Sequence, residues 1–134
     1  MDTLGLVLEV RVHAADIQDL QGARLVLRPL KAKHWRLKKV WADASYRGEL
    51  GQWLHNLRRG RGHRRIQLEI VAKAKGSQFV VLPKRWIVER TFAWLGRSRR
   101  LSKDYEALCE TVETWIYIAM IDLMTARLAS HKKA

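Results

Sequence analysis

The sequence lacks the features of a secreted or membrane-embedded protein. Cys109 is its only cysteine, which excludes an intramolecular disulfide and any zinc site built from several cysteines. No apolar run is long enough to cross a bilayer. The first five residues lack the basic region that opens a signal peptide. These absences predict a soluble, cytoplasmic protein.

Acidic residues are scarce relative to basic ones. Thirteen Asp and Glu stand against 26 Lys and Arg, which gives a net charge of +13 and a pI near 10.6. Such an excess destabilises the compact state by self-repulsion, and a polyanionic partner would relieve it. DNA or RNA is the favoured partner, with an anionic membrane surface second. A basic protein without a specific partner is the remaining alternative.

The pattern of apolar residues predicts one α/β layered domain over residues 1–134. A chain of 134 residues can form one domain with a core and is too short for two. Period-two alternation predicts strands, and apolar spacings of three and four predict helices. The predicted strands are Leu6–His13, Lys39–Asp43, Leu68–Ala72 and Phe79–Leu82. The predicted helices run from a cap at Asp16 to about Leu30, from Tyr46 to Leu57, from Arg85 to about Arg100, and from about Lys103 to Leu128. This alternation indicates a mixed sheet with flanking helices.

Asp43 is the first candidate for chemistry. It ends a short apolar strand, and ligands of open α/β sheets bind at the edge where the strands end. The alternative is a capping role for the helix that begins near Tyr46, since Asp is a common helix cap.

Glu89 is the second candidate. On a helical wheel, one face of its helix is apolar and consists of Ile87, Val88, Thr91, Phe92 and Leu95. The opposite sector holds Glu89 among arginines and small residues, namely Arg85, Ala93, Gly96 and Arg100, with Arg90 and Arg97 at its margin. Small neighbours would admit a phosphate backbone, arginines would hold it, and the carboxylate could bind Mg²⁺. The alternative is an ion pair within the helix between Arg85 and Glu89.

Two motifs together resemble insertion-sequence transposases of the DDE type. The segment WADASYRG, at 41–48, resembles the signature around the second catalytic Asp of that family. The segment LPKRWIVERTFAWLGR, at 82–97, resembles the signature around its catalytic Glu, with Arg four residues before the acid. RRLSKDYE at 99–106 continues this block, and AADIQD at 14–19 matches the segment before the second Asp.

The resemblance implies a ribonuclease-H-like fold in which Asp43 is the second acid and Glu89 the third. The first acid would lie on a strand upstream of this sequence, so we expect a catalytic domain truncated at its N-terminus and an inactive isolated chain. Asp2, Asp16 and Asp19 match non-catalytic positions. The complete enzyme would use two Mg²⁺ or Mn²⁺ ions. Its implied partners are transposon-end and target DNA, an upstream transposase segment and further copies of itself, with no membrane; it would be bacterial and nucleoid-associated.

Arginines are the candidate phosphate contacts. Near Glu89 they are Arg85, Arg90 and Arg97; relatives often carry a basic residue where this chain has Gly96. A second set lies in a glycine-containing loop, with a solvated loop as the alternative: Arg58, Arg59, Arg61, Arg64 and Arg65. Trp86 could stack on an unpaired base. The residues expected in the core include Trp41, Trp53, Trp94, Trp115 and Cys109. The competing function is a non-enzymatic DNA-binding module, in which the carboxylates only form ion pairs.

Overall fold

The computed structural model describes residues 1–57, 66–71 and 85–131. In these ranges the chain forms helices, short 3₁₀ turns and a two-stranded sheet. The order is α1 (Asp19–Lys33), β1 (Lys39–Ala42), a 3₁₀ turn (Ala44–Tyr46), α2 (Glu49–Asn56), β2 (Gln67–Ile70), α3 (Arg85–Leu95), a second 3₁₀ turn (Arg99–Leu101) and α4 (Cys109–His131). The predicted mixture of helices and strands is confirmed. The strand predicted at Phe79–Leu82 and the arginine loop lie outside the described residues.

Contacts divide the chain into two units, described separately below. The sheet unit comprises Ala15–Lys84, and the helix unit comprises Met1–Ala14 with Arg85–Ala134. In the described part of both units, no helix combines the length and apolar character needed to cross a bilayer. The assignment of residues 1–134 to one catalytic domain stays a prediction.

The sheet unit is built on a parallel strand pair. β1 and β2 align from Lys39 opposite Gln67 to Ala42 opposite Ile70. Parallel neighbours require a crossover connection, and α2 lies in that connection. The unit packs on buried aliphatic side chains from both helices and from the residue before β2: Leu27, Leu30, Leu50, Leu54 and Ile66. Strand β1 is thereby anchored at a fixed place in the unit.

Helix α1 begins later than predicted. Its N-cap is Gln18, which makes no side-chain capping bond, so the predicted cap at Asp16 is wrong. Asp19 lies in the first turn, where a negative charge interacts favourably with the positive end of the helix dipole. The helix also continues past Pro29 to Lys33.

The strand predicted at Leu6–His13 is wrong. A strand needs a hydrogen-bonded neighbour, and here side chains of α4 take up the backbone groups instead. The Val10 amide donates to the Tyr117 hydroxyl at 3.3 Å, and the Val12 amide donates to Glu113 Oε1 at 2.9 Å. Arg11 adds an ion pair to Glu113 at 3.1 Å. The segment is therefore attached to α4 by single directional bonds rather than by a ladder.

Helix α3 buries only part of the predicted face. Thr91 is only 1% exposed, whereas Val88 is 40% and Phe92 is 65% exposed, so the core assignment of the last two is wrong. The Thr91 hydroxyl lies 2.9 Å from the Gly5 carbonyl oxygen, and this bond turns Thr91 inward and Phe92 outward. On α4, Met120 is buried, and Cys109 at its first turn is exposed rather than buried as predicted.

Candidate catalytic carboxylates and their surroundings

Asp43 lies directly after β1, as predicted. Its backbone is extended, and its side chain accepts a hydrogen bond from the Ser45 amide at 2.9 Å. Asp43 thus caps the 3₁₀ turn at Ala44–Tyr46 and is solvent-exposed. It does not cap α2, which begins at Glu49 after Gly48. The capping bond fixes the carboxylate at the strand end and requires it to accept, as an ionised carboxylate does.

Tyr46 and Asp19 share this end of the strand with Asp43. Burial raises the pKa of Tyr46 above its ordinary value, and the negative charges of Asp19 and Asp43 raise it further. Both carboxylates are therefore close enough for their charges to act on the phenol of Tyr46. Negative charges placed in this way favour a cation nearby.

Val71, the residue after β2, lies at the same end of the sheet. The Val71 amide donates to the Ala42 carbonyl oxygen at 2.8 Å, which extends the pairing one residue past the strand. Because β1 and β2 are parallel, the carboxyl end of β2 lies beside the residue that precedes Asp43. This is the edge at which α/β sheets bind their ligands.

Glu89 lies on the exposed surface of α3. Ala93 and Gly96, one and two turns further along the helix, are exposed as well, so the small neighbours predicted from the wheel leave this surface open. Arg85 begins the helix, but its side chain lies outside the described residues, so its ion pair with Glu89 stays a prediction. Arg97 is exposed just after the helix, next to Gly96.

Arg90 is held by aromatic rings. Its guanidinium carbon lies 4.1 Å from the ring centre of Trp86 and 4.7 Å from that of Trp94. Arg127 of α4 lies 4.3 Å from the same Trp94 ring. Each such contact contributes about 0.5–2 kcal/mol, depending on how far the cation is desolvated. Arg90 also donates to the Leu4 carbonyl oxygen at 3.1 Å. Its guanidinium therefore positions α3, and its role as a phosphate contact stays a prediction.

A tight turn at the start of the chain supports the inner face of α3. Gly5 has a φ of +82°, and a Cβ at this position would lie 2.7 Å from Thr91 Oγ1 and 2.9 Å from a ring carbon of Trp94. Asp2 closes the turn by accepting from the amides of Leu4 at 2.8 Å and Leu6 at 2.9 Å. The carboxylate of Asp2 thus stabilises the turn, which agrees with its exclusion from the catalytic set.

The two candidate acids belong to different units. Asp43 is part of the sheet unit and Glu89 part of the helix unit, and their joint role in one metal site stays a prediction. Among the residues that the structure describes, no three or more His, Cys, Asp or Glu side chains form a cluster able to hold a metal. The loop arginines Arg58, Arg59, Arg61, Arg64 and Arg65 are outside the described residues.

Sequence reasoning missed several supporting residues. The helical wheel places Thr91 on an apolar face without a bonding role, and no sequence pattern indicates a role for Arg127. Both act through contacts with residues distant in sequence, Gly5 and Trp94, so helical spacing carries no signal for them. The exposed position of Trp86, at 41%, agrees with its placement on the Glu89 side.

A family model for the transposase DDE domain matches residues 1–123. This match covers most of the chain, and the chain therefore belongs to the transposase DDE domain family. No curated protein and no solved structure matches it. The family resemblance predicted from the two motifs is confirmed, and with it a transposition-related function with DNA as substrate.

Proposed function

We propose that this chain contributes two acids, Asp43 and Glu89, to a metal-dependent transposase that cuts and joins DNA at the ends of an insertion sequence. The observation that carries the proposal is the family match over residues 1–123, with Asp43 at the carboxyl end of β1. The fold we propose for the complete domain is ribonuclease-H-like. Glu89 supplies the third acid from the open surface of α3.

The donor groups suit a hard divalent cation. Mg²⁺ and Mn²⁺ prefer oxygen ligands, and Mg²⁺ is commonly held by one or two protein carboxylates. Asp43 and Glu89 are both exposed carboxylates, and Asp43 shares its strand end with the carboxylate of Asp19. Two bound ions would activate a water or a 3′-hydroxyl and neutralise charge on the phosphate under attack.

The residues of the chain have separate tasks in this proposal. Asp43 is kept at the strand end by its bond to the Ser45 amide. The hydrogen bonds of Arg90 to Leu4 and of Thr91 to Gly5 set the orientation of α3, which carries Glu89. Phosphates are positioned by Arg85, by Arg97 and by the loop arginines Arg58, Arg59, Arg61, Arg64 and Arg65.

The first acid of the triad is not among these residues, and we propose that an upstream transposase segment supplies it. A polypeptide of residues 1–134 alone should then neither nick nor join oligonucleotides that carry transposon ends. Two acids cannot hold both ions in the in-line geometry and neutralise them as well. The complete enzyme would act as a homo-oligomer.

The experiment compares this polypeptide with a longer protein that carries the upstream strand and its Asp. With Mg²⁺ or Mn²⁺, only the longer protein should cut. Glu89→Gln and Asp43→Asn keep the side-chain shape but remove the anion. Each should lower cutting by at least roughly 10²-fold, since even the loss of a residue that only supports a metal ligand costs 10–100-fold.

Two exposed acids outside the proposed site provide matched controls. Asp104→Asn and Glu110→Gln remove the same charge and should leave cutting within about twofold, as expected for surface changes. Full activity of Glu89→Gln in the longer protein would show that Glu89 is structural.

A non-enzymatic DNA-binding module is the second candidate, and the net charge of +13 favours it. The same experiment separates the two functions. A binding module would bind DNA in every form tested, and no upstream segment would confer cutting.

A further inference from the structure

The connection between α1 and β1 is a turn with an exposed tryptophan at its tip. The Leu37 amide donates to the His34 carbonyl oxygen at 3.0 Å, which closes the turn around Trp35 and Arg36. Trp35 is 65% exposed, although an indole is a large apolar group. We call residues 33–39 the basic turn.

Cations dominate this part of the chain. Residues 31–39 contain four lysines and one arginine and no acid. Lys31 is buried and donates to the Leu57 carbonyl oxygen, and Lys39 pairs with Glu69 at 2.8 Å. Packing and ion pairing therefore account for these two lysines.

The dipole of α1 accounts for only some of the other cations in this segment. Lys31 and Lys33 lie in the last turn of α1, where cations complement the helix end. Arg36 and Lys38 lie beyond the helix and are exposed. The dipole effect falls off within the last turn, so it does not account for these two charges.

Trp35 and Arg36 form a stacked pair. The guanidinium carbon of Arg36 lies 4.8 Å from the ring centre of Trp35, and the tryptophan remains largely exposed. An aromatic ring on a positively charged surface is the combination with which proteins hold single-stranded nucleic acid. The ring stacks on a base of any sequence, and the cations track the backbone.

A groove continues from this turn along the sheet. It has a volume of about 720 Å³ and is lined by Lys38 and Lys39, and further along by His55 and Gln67. Glu69 also lines it, and its charge is paired with Lys39. Cations and neutral donors thus lie on the path that a strand leaving Trp35 could follow.

We propose that the basic turn binds an unpaired DNA strand, with a base stacked on Trp35 and the flanking phosphates neutralised by Arg36 and Lys38. This contact goes beyond the proposed function, since it requires neither Asp43 nor Glu89. An unpaired strand is the form of DNA that exposes base faces to an aromatic side chain.

The test measures the anisotropy of a fluorescein-labelled single strand of mixed sequence and of its duplex. Trp35→Ala should weaken single-strand binding by about fivefold or more, as loss of base stacking does, and change duplex binding by less than about twofold. Trp35→Phe should restore most of the affinity. Tyr105→Ala removes another exposed aromatic residue, from the helix unit, and should have little effect.

The charges are tested through salt dependence. For single strands, each lost phosphate contact lowers the slope of log affinity against log salt by about 0.7, so Arg36→Gln with Lys38→Gln should lower it by about 1.4. The control, Arg28→Gln with Lys103→Gln, makes the same change in net charge at exposed cations outside the turn. It should lower the slope by less than half as much.

Four outcomes would overturn the inference. Trp35→Ala could have the same single-strand affinity as Tyr105→Ala. It could weaken binding of the duplex and of the single strand equally. The two double variants could have the same slope of log affinity against log salt. Trp35→Ala could also abolish binding to phosphatidylserine vesicles while DNA binding persists, which would assign the turn to membranes. Circular dichroism confirms folding of each variant. The anisotropy is measured without a divalent cation and reports binding rather than cutting, so failure of the catalytic proposal is read separately.

Discussion

The contacts inside the sheet unit differ in kind from the contacts inside the helix unit. In the sheet unit the buried side chains are mostly aliphatic: Leu27, Leu30, Leu50, Leu54 and Ile66. In the described part of the helix unit, Met120 is a buried apolar side chain, but Thr91 and Glu9 are buried too. Most exposed large apolar residues of the described ranges also belong to the helix unit, including Leu4, Phe92, Leu108, Ile121 and Leu128.

This difference means that the two candidate acids rest on different supports. Asp43 follows a strand anchored by non-directional packing, which tolerates changes that keep volume and apolar character. Glu89 lies on a helix oriented by directional contacts with other segments: the hydrogen bonds of Arg90 and Thr91 to the first turn and the Arg127 stack on Trp94. Those contacts depend on particular donors and rings. Conservative polar changes should therefore do more harm in the helix unit than in the sheet unit.

The largest expected effect is the loss of packing in the sheet unit. Leu50 is 2% exposed, and Leu50→Ala should lower the free energy of unfolding by about 2–5 kcal/mol, through lost transfer energy and a residual cavity. Urea titration measures this. Leu50→Met should cost less than about 1.5 kcal/mol, and an equal cost for both variants would contradict the account of tolerant packing.

Two glycines with positive φ give the next comparison. Gly48→Ala should cost about 1–3 kcal/mol from backbone strain alone, because nothing lies within 4 Å of the added Cβ. Gly5→Ala should cost more than Gly48→Ala, since its Cβ would also overlap Thr91 and Trp94. Thermal or urea unfolding of both variants checks the order. A smaller cost at Gly5 would mean that the turn moves away from α3 freely.

The Thr91 hydroxyl tests the directional support of α3. Its oxygen lies 2.9 Å from the carbonyl oxygens of both Gly5 and Ile87, and its single proton can be donated to one of them at a time. Thr91→Val keeps the shape, leaves the Gly5 carbonyl without this donor, and should cost about 1–3 kcal/mol in the free energy of unfolding. Thr91→Ser keeps the donor and should retain more stability than Thr91→Val.

The two acids themselves should differ in their effect on stability. Asp43→Ala removes the cap of the 3₁₀ turn and should cost about 0.5–2 kcal/mol, whereas Asp43→Asn retains an acceptor and should cost less. Glu89→Ala changes an exposed helix position and should remain within about 0.5 kcal/mol. A larger loss of stability in Glu89→Ala than in Asp43→Ala would contradict this prediction.

The smallest effect concerns pH. The folded pKa of Tyr46 is raised above its ordinary value near 10, first by burial and then by Asp19 and Asp43. The neutral phenol is therefore favoured in the folded state. Its contribution to stability is complete below pH 10 and is lost as the pH rises through the folded pKa. The stability difference between wild type and Tyr46→Phe should shrink above about pH 10, and a constant difference would contradict this.

Sequence patterns predicted local elements well and tertiary contacts poorly. The strand ending at Asp43 and the helix beginning at Arg85 follow from apolar runs and spacing, and both are present. The segment Leu6–His13 alternates like a strand, but pairing depends on a neighbour that period-two alternation does not specify. Phe92 is apolar and on the predicted face, but the bond between Thr91 and Gly5, residues far apart in the chain, decides which face is buried.

The candidate site was predictable to a similar degree. The position of Asp43 at a strand end follows from the sequence, and the family follows from the two motifs. The stacking of Arg90 between Trp86 and Trp94 could have been suggested by their i, i+4 spacing on one helix, a spacing that brings side chains together. The effect of Asp19 on the pKa of Tyr46 could not have been predicted from the sequence, because it requires α1 and the 3₁₀ turn to be in contact.

The parallel pairing of β1 with β2 also has a kinetic consequence. Lys39 pairs with Gln67, so the chain must close a long crossover before the strand end that carries Asp43 is fixed. Contacts between residues distant in sequence form slowly, whereas helical contacts are local. We expect pulse-labelled amides of α3 to be protected from hydrogen exchange before those of β1. On this order of events, the surface that carries Glu89 forms early in folding, and the strand end that holds Asp43 is completed late.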